Sequence, residues 1–383
     1  MVSSLSSHSG RSLSSSCASV HVAPIPVVLT IAGSDSSGGA GIQADMKTIC
    51  ALGGYGCVAL TAVTAQNTRG VDAVEYMSPG VVAQQIRSVA EDYPIDAVKI
   101  GMVGSSSCAK TITRTLGLFP PGVPVVWDPV MVASSGSSLV DADSEVTSGF
   151  VDLARRADVV TPNGRELVDL CDMVGVAVPA VLRGDGGAAV VPPGRGAPAD
   201  GVVTQSPGMG PGSELLLSAR AEAAAALSTE LGTVVVATGG PDNGFVDDGV
   251  MIMDVVAQRG DVVVVSHDRV DTANTHGTGC TLSSAIAVCA ARSVCGPEKD
   301  GVDAEVAGPG HSMVSAPHGD VAFVCDWRSV VEDAAAWTCR ALGAADALDC
   351  ALGLRRRQGG GVVDPVHGAG NAPVDHFWAA RCP

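Results

Sequence analysis

The chain has 383 residues and a formal net charge of −17, with hydrophobic residues at 46% and aromatic residues at only 3%. That acidity argues against nucleic acid or an anionic membrane as the main partner, while leaving room for a local phosphate site built from backbone N–H groups. The 12 cysteines are scattered without a Cys-x-x-Cys pair or zinc spacing, which points to reduced, mostly buried thiols. With so few aromatics the core has to be built from Val, Ala, Leu and Ile, and the length admits one large α/β domain or two smaller ones.

Residues 1–20 are half serine, contain Arg11 and have no acidic side chain. This composition resembles that of an organellar transit peptide, of plastid type, or of a disordered tail; chloroplast is the expected location and cytoplasm the alternative. From Val27 onward short apolar runs alternate with helical patterns. Strands are expected at Val27–Ile31, Val58–Thr61, Ala97–Ile100, Val125–Trp127, Val159–Thr161 and Val234–Ala237. Helices are expected near Gly41–Leu52, Val81–Asp92, Cys108–Leu116, Glu145–Arg156 and Arg165–Cys171. Such alternation predicts a mostly parallel sheet with helices on both faces. Gly249–Val255 followed by Asp261–Ser266 reads as a hairpin. Two Gly- and Pro-rich or mixed stretches, 183–212 and 296–320, break the pattern and read as disordered insertions in a single domain running from 25 to 383.

Five segments carry candidate chemistry. Ala32-Gly33-Ser34-Asp35-Ser36-Ser37-Gly38-Gly39-Ala40-Gly41-Ile42-Gln43-Ala44-Asp45 follows the first strand, where a glycine-rich turn is either a ligand cradle or simply tight. It is neither a dinucleotide fingerprint nor a P-loop. Gln66, in Ala65-Gln66-Asn67-Thr68, offers a donor and an acceptor to a heteroaromatic edge, or to nearby backbone. Asp128, before Pro129, either holds Mg²⁺ or caps a turn. Asn163 and Glu166 have capping-box spacing, the reading preferred from spacing, with nucleotide phosphates and metal as the alternative. Thr275-His276-Gly277-Thr278-Gly279-Cys280 opens an apolar helix, and its free N–H groups and dipole suit an anion. A cysteine there is expected to have a lowered pKa. All five would share one carboxyl edge of the sheet, where open α/β folds bind ligands.

The opening segment, continued by Met46-Lys47-Thr48, resembles the signature of the hydroxymethylpyrimidine/phosphomethylpyrimidine kinases of thiamine biosynthesis, in the ribokinase superfamily. Tyr55-Gly56-Cys57, Ala65–Thr68, Lys99-Ile100-Gly101-Met102, Asp128-Pro129-Val130-Met131, Thr161-Pro162-Asn163, Thr275–Cys280 and the tail from Pro365 to Trp378 match in order. The resemblance implies a ribokinase-like three-layer α/β/α fold, ATP and Mg²⁺ as cofactors, and a homodimer acting on a small pyrimidine. It implies transfer of phosphate to 4-amino-5-hydroxymethyl-2-methylpyrimidine and then to its monophosphate; a pyridoxal kinase or a non-catalytic pyrimidine-binding relative is the alternative. By the same resemblance Gln66, Gly33, Asp45 and Met102 would enclose the pyrimidine. Gly277, Thr278, Gly279 and Cys280 would surround the transferred phosphoryl group, with Cys280 as base. Asp128, Asn163, Glu166 and Thr275 would serve the nucleotide, with Asp128 and Glu166 at the metal. One departure stands out: Thr238-Gly239-Gly240-Pro241 has Thr where the family usually has Lys, and lacks its following His.

Overall fold

The computed structural model describes residues 25–67, 70–131, 146–183, 211–240, 251–270, 275–294 and 325–343, with two further short strand pairs at 314–315/321–322 and 355–357/363–365. The serine-rich leader, residues 184–210 of the first insertion, most of the second and the tail motif beyond Pro365 lie outside them.

Nine strands form one sheet: β1 (Val27–Ser34), β2 (Tyr55–Asn67), β3 (Gly70–Tyr76), β4 (Ala97–Ile100), β5 (Val125–Trp127), β6 (Val159–Val160), β7 (Val234–Ala237), β8 (Met251–Gln258) and β9 (Asp261–Asp268), in the order β3-β2-β1-β4-β5-β6-β7-β8-β9. The six strands from β2 to β7 in that order are parallel, with an antiparallel β3 on one edge and the antiparallel pair β8 and β9 on the other. The parallel strands are short and Val-rich because both faces are covered: successive side chains point to opposite layers. Leu29 and Ile31 pack into one layer, Val28 into the other. The first layer holds α2 (Pro79–Ala90), α3 (Ser106–Thr115), α4 (Val146–Arg156), α5 (Gly164–Val174) and α6 (Pro211–Leu231); the second holds α1 (Gly41–Ala51), α7 (Thr278–Val294) and α8 (Trp327–Gly343). This is the expected α/β/α arrangement. Among the described residues, no helix is long and apolar enough to cross a membrane.

Helix starts follow side-chain chemistry. Ser78 and Ser105 accept N–H groups from the first turns of α2 and α3, and Pro79 starts α2, where a missing N–H costs nothing. Arg259 and Gly260 both have positive φ, as a two-residue turn between β8 and β9 requires.

Three elements differ from the expectation. Strand β2 runs to Asn67, well past Thr61, because its second half pairs antiparallel with the unanticipated β3 from Ala62 onward. Helix α6 was not expected: its apolar residues lie all round rather than in one stripe, and only its contacts show that Leu217, Ala223, Ala224 and Leu227 reach the core. Helix α8, likewise unanticipated, closes the second layer with Trp327, Val331, Ala334 and Ala341. Leu227 is fully buried between α6 and the sheet, so Leu227→Ala is expected to lower unfolding free energy by about 2–5 kcal/mol in urea denaturation.

Candidate active site

The carboxyl ends of the parallel strands open onto one cavity of about 640 Å³. Its wall includes Gly33, Gln66, Met102, Asp128, Asn163, Glu166, Thr238, Thr275, Gly277, Thr278, Gly279 and Cys280. Every predicted site residue but one is therefore brought together on this surface.

The exception is Asp45. It is completely buried beneath the wall, where Thr30 Oγ1 donates to it at 2.6 Å, Lys99 Nζ at 2.9 Å and Ser284 Oγ at 2.8 Å. With three internal donors and no exposure it has no face left for a ligand, and direct contact with a pyrimidine is withdrawn. Its place is structural: it joins α1 to β1, β4 and α7.

The reason is Lys99, which the sequence marks only as part of a matching segment and not as a site residue. It sits in the middle of β4 with no solvent exposure, 2.9 Å from Asp45 and 4.0 Å from Asp128. Burial alone would drive an ammonium toward neutrality, but Asp45, Cys280 and Asp128 outweigh that and hold its pKa above the usual lysine value. The available signal was a lysine at the centre of an apolar parallel strand, Ala97-Val98-Lys99-Ile100. A charge is tolerated there only when paired.

Cys280 departs from its expected titration. It begins α7, yet burial pushes its thiol up to about 12; Lys99 pulls the other way while Asp128 and Asp45 push with the burial. The helix dipole is outweighed by two carboxylates and the loss of water. Cys280 is thus a thiol, beside the Asp128 carboxylate and the Gly41 N–H.

Asp128 is raised by burial and by Asp45, and held back by Lys99. Glu166 is raised well above the usual carboxylate range by burial and by Asp128. Glu166 also accepts the Asn163 N–H at 2.9 Å, while Asn163 Oδ1 accepts the N–H groups of Arg165 and Glu166 at 3.0 Å each. The capping box read from spacing is present, and its two members also line the cavity. Thr161 Oγ1 on the same wall is buried without a hydrogen-bond partner.

A second feature missed in the sequence fixes the anion-binding segment. The Asp35 carboxylate accepts N–H groups from Ser37 (2.8 Å), Gly39 (3.1 Å) and Ala40 (2.8 Å) and lies 2.9 Å from His276 Nε2. One carboxylate thereby folds the glycine-rich turn and fastens it to the start of α7. Burial raises the Asp35 pKa, but the bonds from His276, Ser37 and Ala40 bring it down to about 2. At Gly277, φ is +84° and an added Cβ would lie 1.9 Å from the Gly39 carbonyl oxygen. At Gly279 the nearest atom to an added Cβ is Asp128 Oδ2, at 3.8 Å. Thr278 Oγ1 donates to the Thr275 carbonyl, closing the turn.

At the pyrimidine-facing end proposed by resemblance, Gly33 abuts Met102, whose Sδ would be 2.9 Å from any added Cβ. Gln66 follows a bulge: Ala65 pairs with Ala73 but Gln66 pairs with Val71, leaving Asp72 as the extra residue. Ser36 Oγ, donating to the Gln66 carbonyl at 2.7 Å, and Thr64 Oγ1, donating to its Oε1 at 3.1 Å, hold it in place.

A three-layer α/β/α fold with a glycine-bearing helix start facing paired carboxylates across one sheet edge defines a kinase-type cleft. The phosphomethylpyrimidine kinase family model matches residues 35–180 and 216–296. The chain belongs to that family. It is 36% identical over 356 residues to the thiamine biosynthesis multifunctional protein ThiED of Corynebacterium efficiens, covering 93% of this chain and 36% of that protein. It is 38% identical over 268 residues to the hydroxymethylpyrimidine/phosphomethylpyrimidine kinase of Rhizobium meliloti, covering 70% of this chain and 84% of that one. The chain thus spans about a third of the multifunctional relative and most of the shorter one. Among solved structures, the pyridoxal kinase from Staphylococcus aureus in complex with ADP aligns with TM-score 0.58 and 22% identity, covering 94% of this chain and 96% of that one, and shows the shared ribokinase-like fold.

Two expectations follow. Gly277→Ala should destabilise the protein by about 1–3 kcal/mol from backbone strain, with more from displacing Gly39, whereas Gly279→Ala, in the first turn of α7, should leave stability unchanged or raise it by up to about 1 kcal/mol; urea titrations of both distinguish them. Because the folded-state pKa of Asp35 is depressed from 3.8 to about 2, its contribution of about 2 kcal/mol is present above pH 4 and disappears as pH falls through 2. Asp35→Asn should therefore unfold with a flatter pH dependence between pH 4 and 2 than the parent.

Proposed function

We propose that this protein is an ATP-dependent kinase that phosphorylates the hydroxymethyl group of 4-amino-5-hydroxymethyl-2-methylpyrimidine and then the resulting monophosphate. The observation that carries the reading is the single cavity in which Gln66, Gly33 and Met102 occupy the same wall as Asp128, Glu166 and the Gly277–Cys280 helix start. Gln66 pairs with the aminopyrimidine edge, using donor and acceptor together. Gly33 and Met102 flank the ring, and the glycine leaves the space that a side chain would take from Met102. The Gly277–Cys280 N–H groups receive the transferred phosphoryl group, where charge accumulates in the transition state. The nucleotide base lies toward Ile252, Val270 and Leu342, the apolar part of the same wall.

Asp128 and Glu166 suit Mg²⁺. Each carboxylate is raised by burial, and Asp128 further raises Glu166, a strain that a divalent cation would relieve. A Mg²⁺ held by these two carboxylates would take its remaining oxygens from water and phosphate. When bound, Mg²⁺ would neutralise phosphate charge.

The raised thiol at Cys280 changes its chemistry from the expected thiolate base. As a thiol beside Asp128, it passes the hydroxymethyl proton along: sulfur accepts that proton as its own moves to the carboxylate. Only the first phosphorylation has such a proton to remove, since the second acceptor is already anionic. At the position of the family lysine, Thr238 Oγ1 lies 3.5 Å from the Pro162 carbonyl, its backbone N–H donating there at 2.9 Å; Arg165, at the start of α5 on the cavity wall, is the cation nearest in role.

The test is an ATP-consumption assay with the hydroxymethylpyrimidine, its monophosphate and pyridoxal as acceptors. Turnover of the two pyrimidines is expected, and turnover of pyridoxal alone would overturn the assignment. Cys280→Ala should slow the first phosphorylation by about 10²–10⁴ and the second much less. Cys280→Ser, which keeps a proton-relaying group, should restore part of the first step; equal loss in Ala and Ser variants would count against the relay.

A further inference from the structure

The apolar end of the cavity holds a second cluster that phosphoryl transfer does not use. Asp254, buried in the middle of β8, accepts the Gly239 N–H on Oδ1 at 2.7 Å. Its Oδ2 lies 3.3 Å from Nε2 of His267 on β9. Across the same imidazole, Nδ1 lies 3.0 Å from Sγ of Cys339 on α8. All three residues line the cavity. They stand in a row through opposite ring nitrogens, an order suited to moving a proton rather than to gripping a metal ion.

Burial favours a neutral His267, but the bonds to Asp254 and Cys339 outweigh it and raise the imidazole to about 10. Near neutral pH the ring therefore carries both protons and donates one to the carboxylate and one to the sulfur. Asp254 is itself anchored by Gly239, so the ring is fixed in orientation. An acid that orients an imidazole, which in turn faces a sulfur, is the arrangement by which a thiol is made nucleophilic.

We propose that Cys339 is a nucleophilic thiol, activated by His267 and Asp254, and a site of covalent modification by peroxides and soft alkylating electrophiles at this end of the cleft. With hydrogen peroxide the sulfur attacks one oxygen, the O–O bond breaks, the departing hydroxide takes a proton from His267 to leave as water, and the thiol proton passes to the imidazole in its place. Sulfur is oxidised by two electrons to the sulfenic acid as the peroxide is reduced. With iodoacetamide a C–S bond forms, the C–I bond breaks, iodide leaves and the thiol proton passes to solvent. Either product adds atoms beside Leu342 and Thr338 on the cavity wall, and so competes with whatever occupies that end. That the occupant is a nucleotide base rests on the function proposed above.

The full chain, free of nucleotide, is treated with iodoacetamide at pH 7, and each cysteine peptide is followed by mass spectrometry. Access alone would put the exposed Cys50 ahead of the half-buried Cys339. The expected result is the reverse, with Cys339 at least tenfold faster. Equal or slower labelling of Cys339 overturns the proposal. His267→Ala should remove the advantage while the buried Cys108 and Cys171 stay unlabelled, which reports an intact fold. If they become labelled, Asp254→Asn with the same readout takes its place, and an undiminished Cys339 rate in a folded variant overturns the activation. ATP should slow Cys339 selectively. A fast Cys339 that ATP leaves unchanged overturns the nucleotide placement of this end while upholding the activated thiol.

Discussion

The buried ammonium of Lys99 is the constraint on which the site depends. It lies 2.9 Å from Asp45 and 4.0 Å from Asp128, all out of solvent. Three groups brought into the interior in this way are stable only as a set, because removing one leaves an uncompensated charge. Asp45 belongs to α1, Lys99 to β4, Asp128 to the turn after β5, and Ser284, which completes the set, to α7. The floor of the cleft is thus assembled from four distant stretches of chain by electrostatics, and its shape cannot drift without breaking a charge pair. The same cation opposes the burial that raises Asp128.

Above that floor the anion-binding segment is fastened by a different device. The Asp35 carboxylate gathers N–H groups of its own turn and reaches His276 across most of the chain length. The glycines then follow from contact. Gly277 is excluded from carrying a side chain by the carbonyl of Gly39, whereas a Cβ at Gly279 would make only ordinary contact with Asp128. Glycines two residues apart in one motif serve different ends, one closing the protein on itself and the other leaving room for a ligand.

Much of this was legible beforehand. Val-rich runs separated by helical patterns gave the parallel core strands, since burial on both faces leaves a continuous apolar signature. The capping box at Asn163 and Glu166 was legible because it is local and depends only on spacing. Asp45 was misplaced because a carboxylate in a ligand motif reads the same whether it faces the ligand or the lysine beneath it. Cys280 was misjudged for a related reason: the helix dipole is visible in sequence, but the neighbouring carboxylates come from elsewhere in the chain. Helix α6 escaped notice because its alanines and leucines are spread around the axis, and β3 because only pairing with the overlong β2 makes it a strand.

That overlong β2 has a further bearing on the cleft. Past Val63 it leaves the parallel sheet and pairs with β3 alone, and the pairing slips by one residue at Asp72 just where Gln66 stands. A strand alternates its faces, so a slip of one position decides which way every later side chain points. The extra residue sits in β3, so it is β3 whose later side chains change face, while β2 keeps its own alternation through Gln66. A residue lost or gained in that edge strand would be absorbed within β3, leaving Gln66 on the cavity wall it lines.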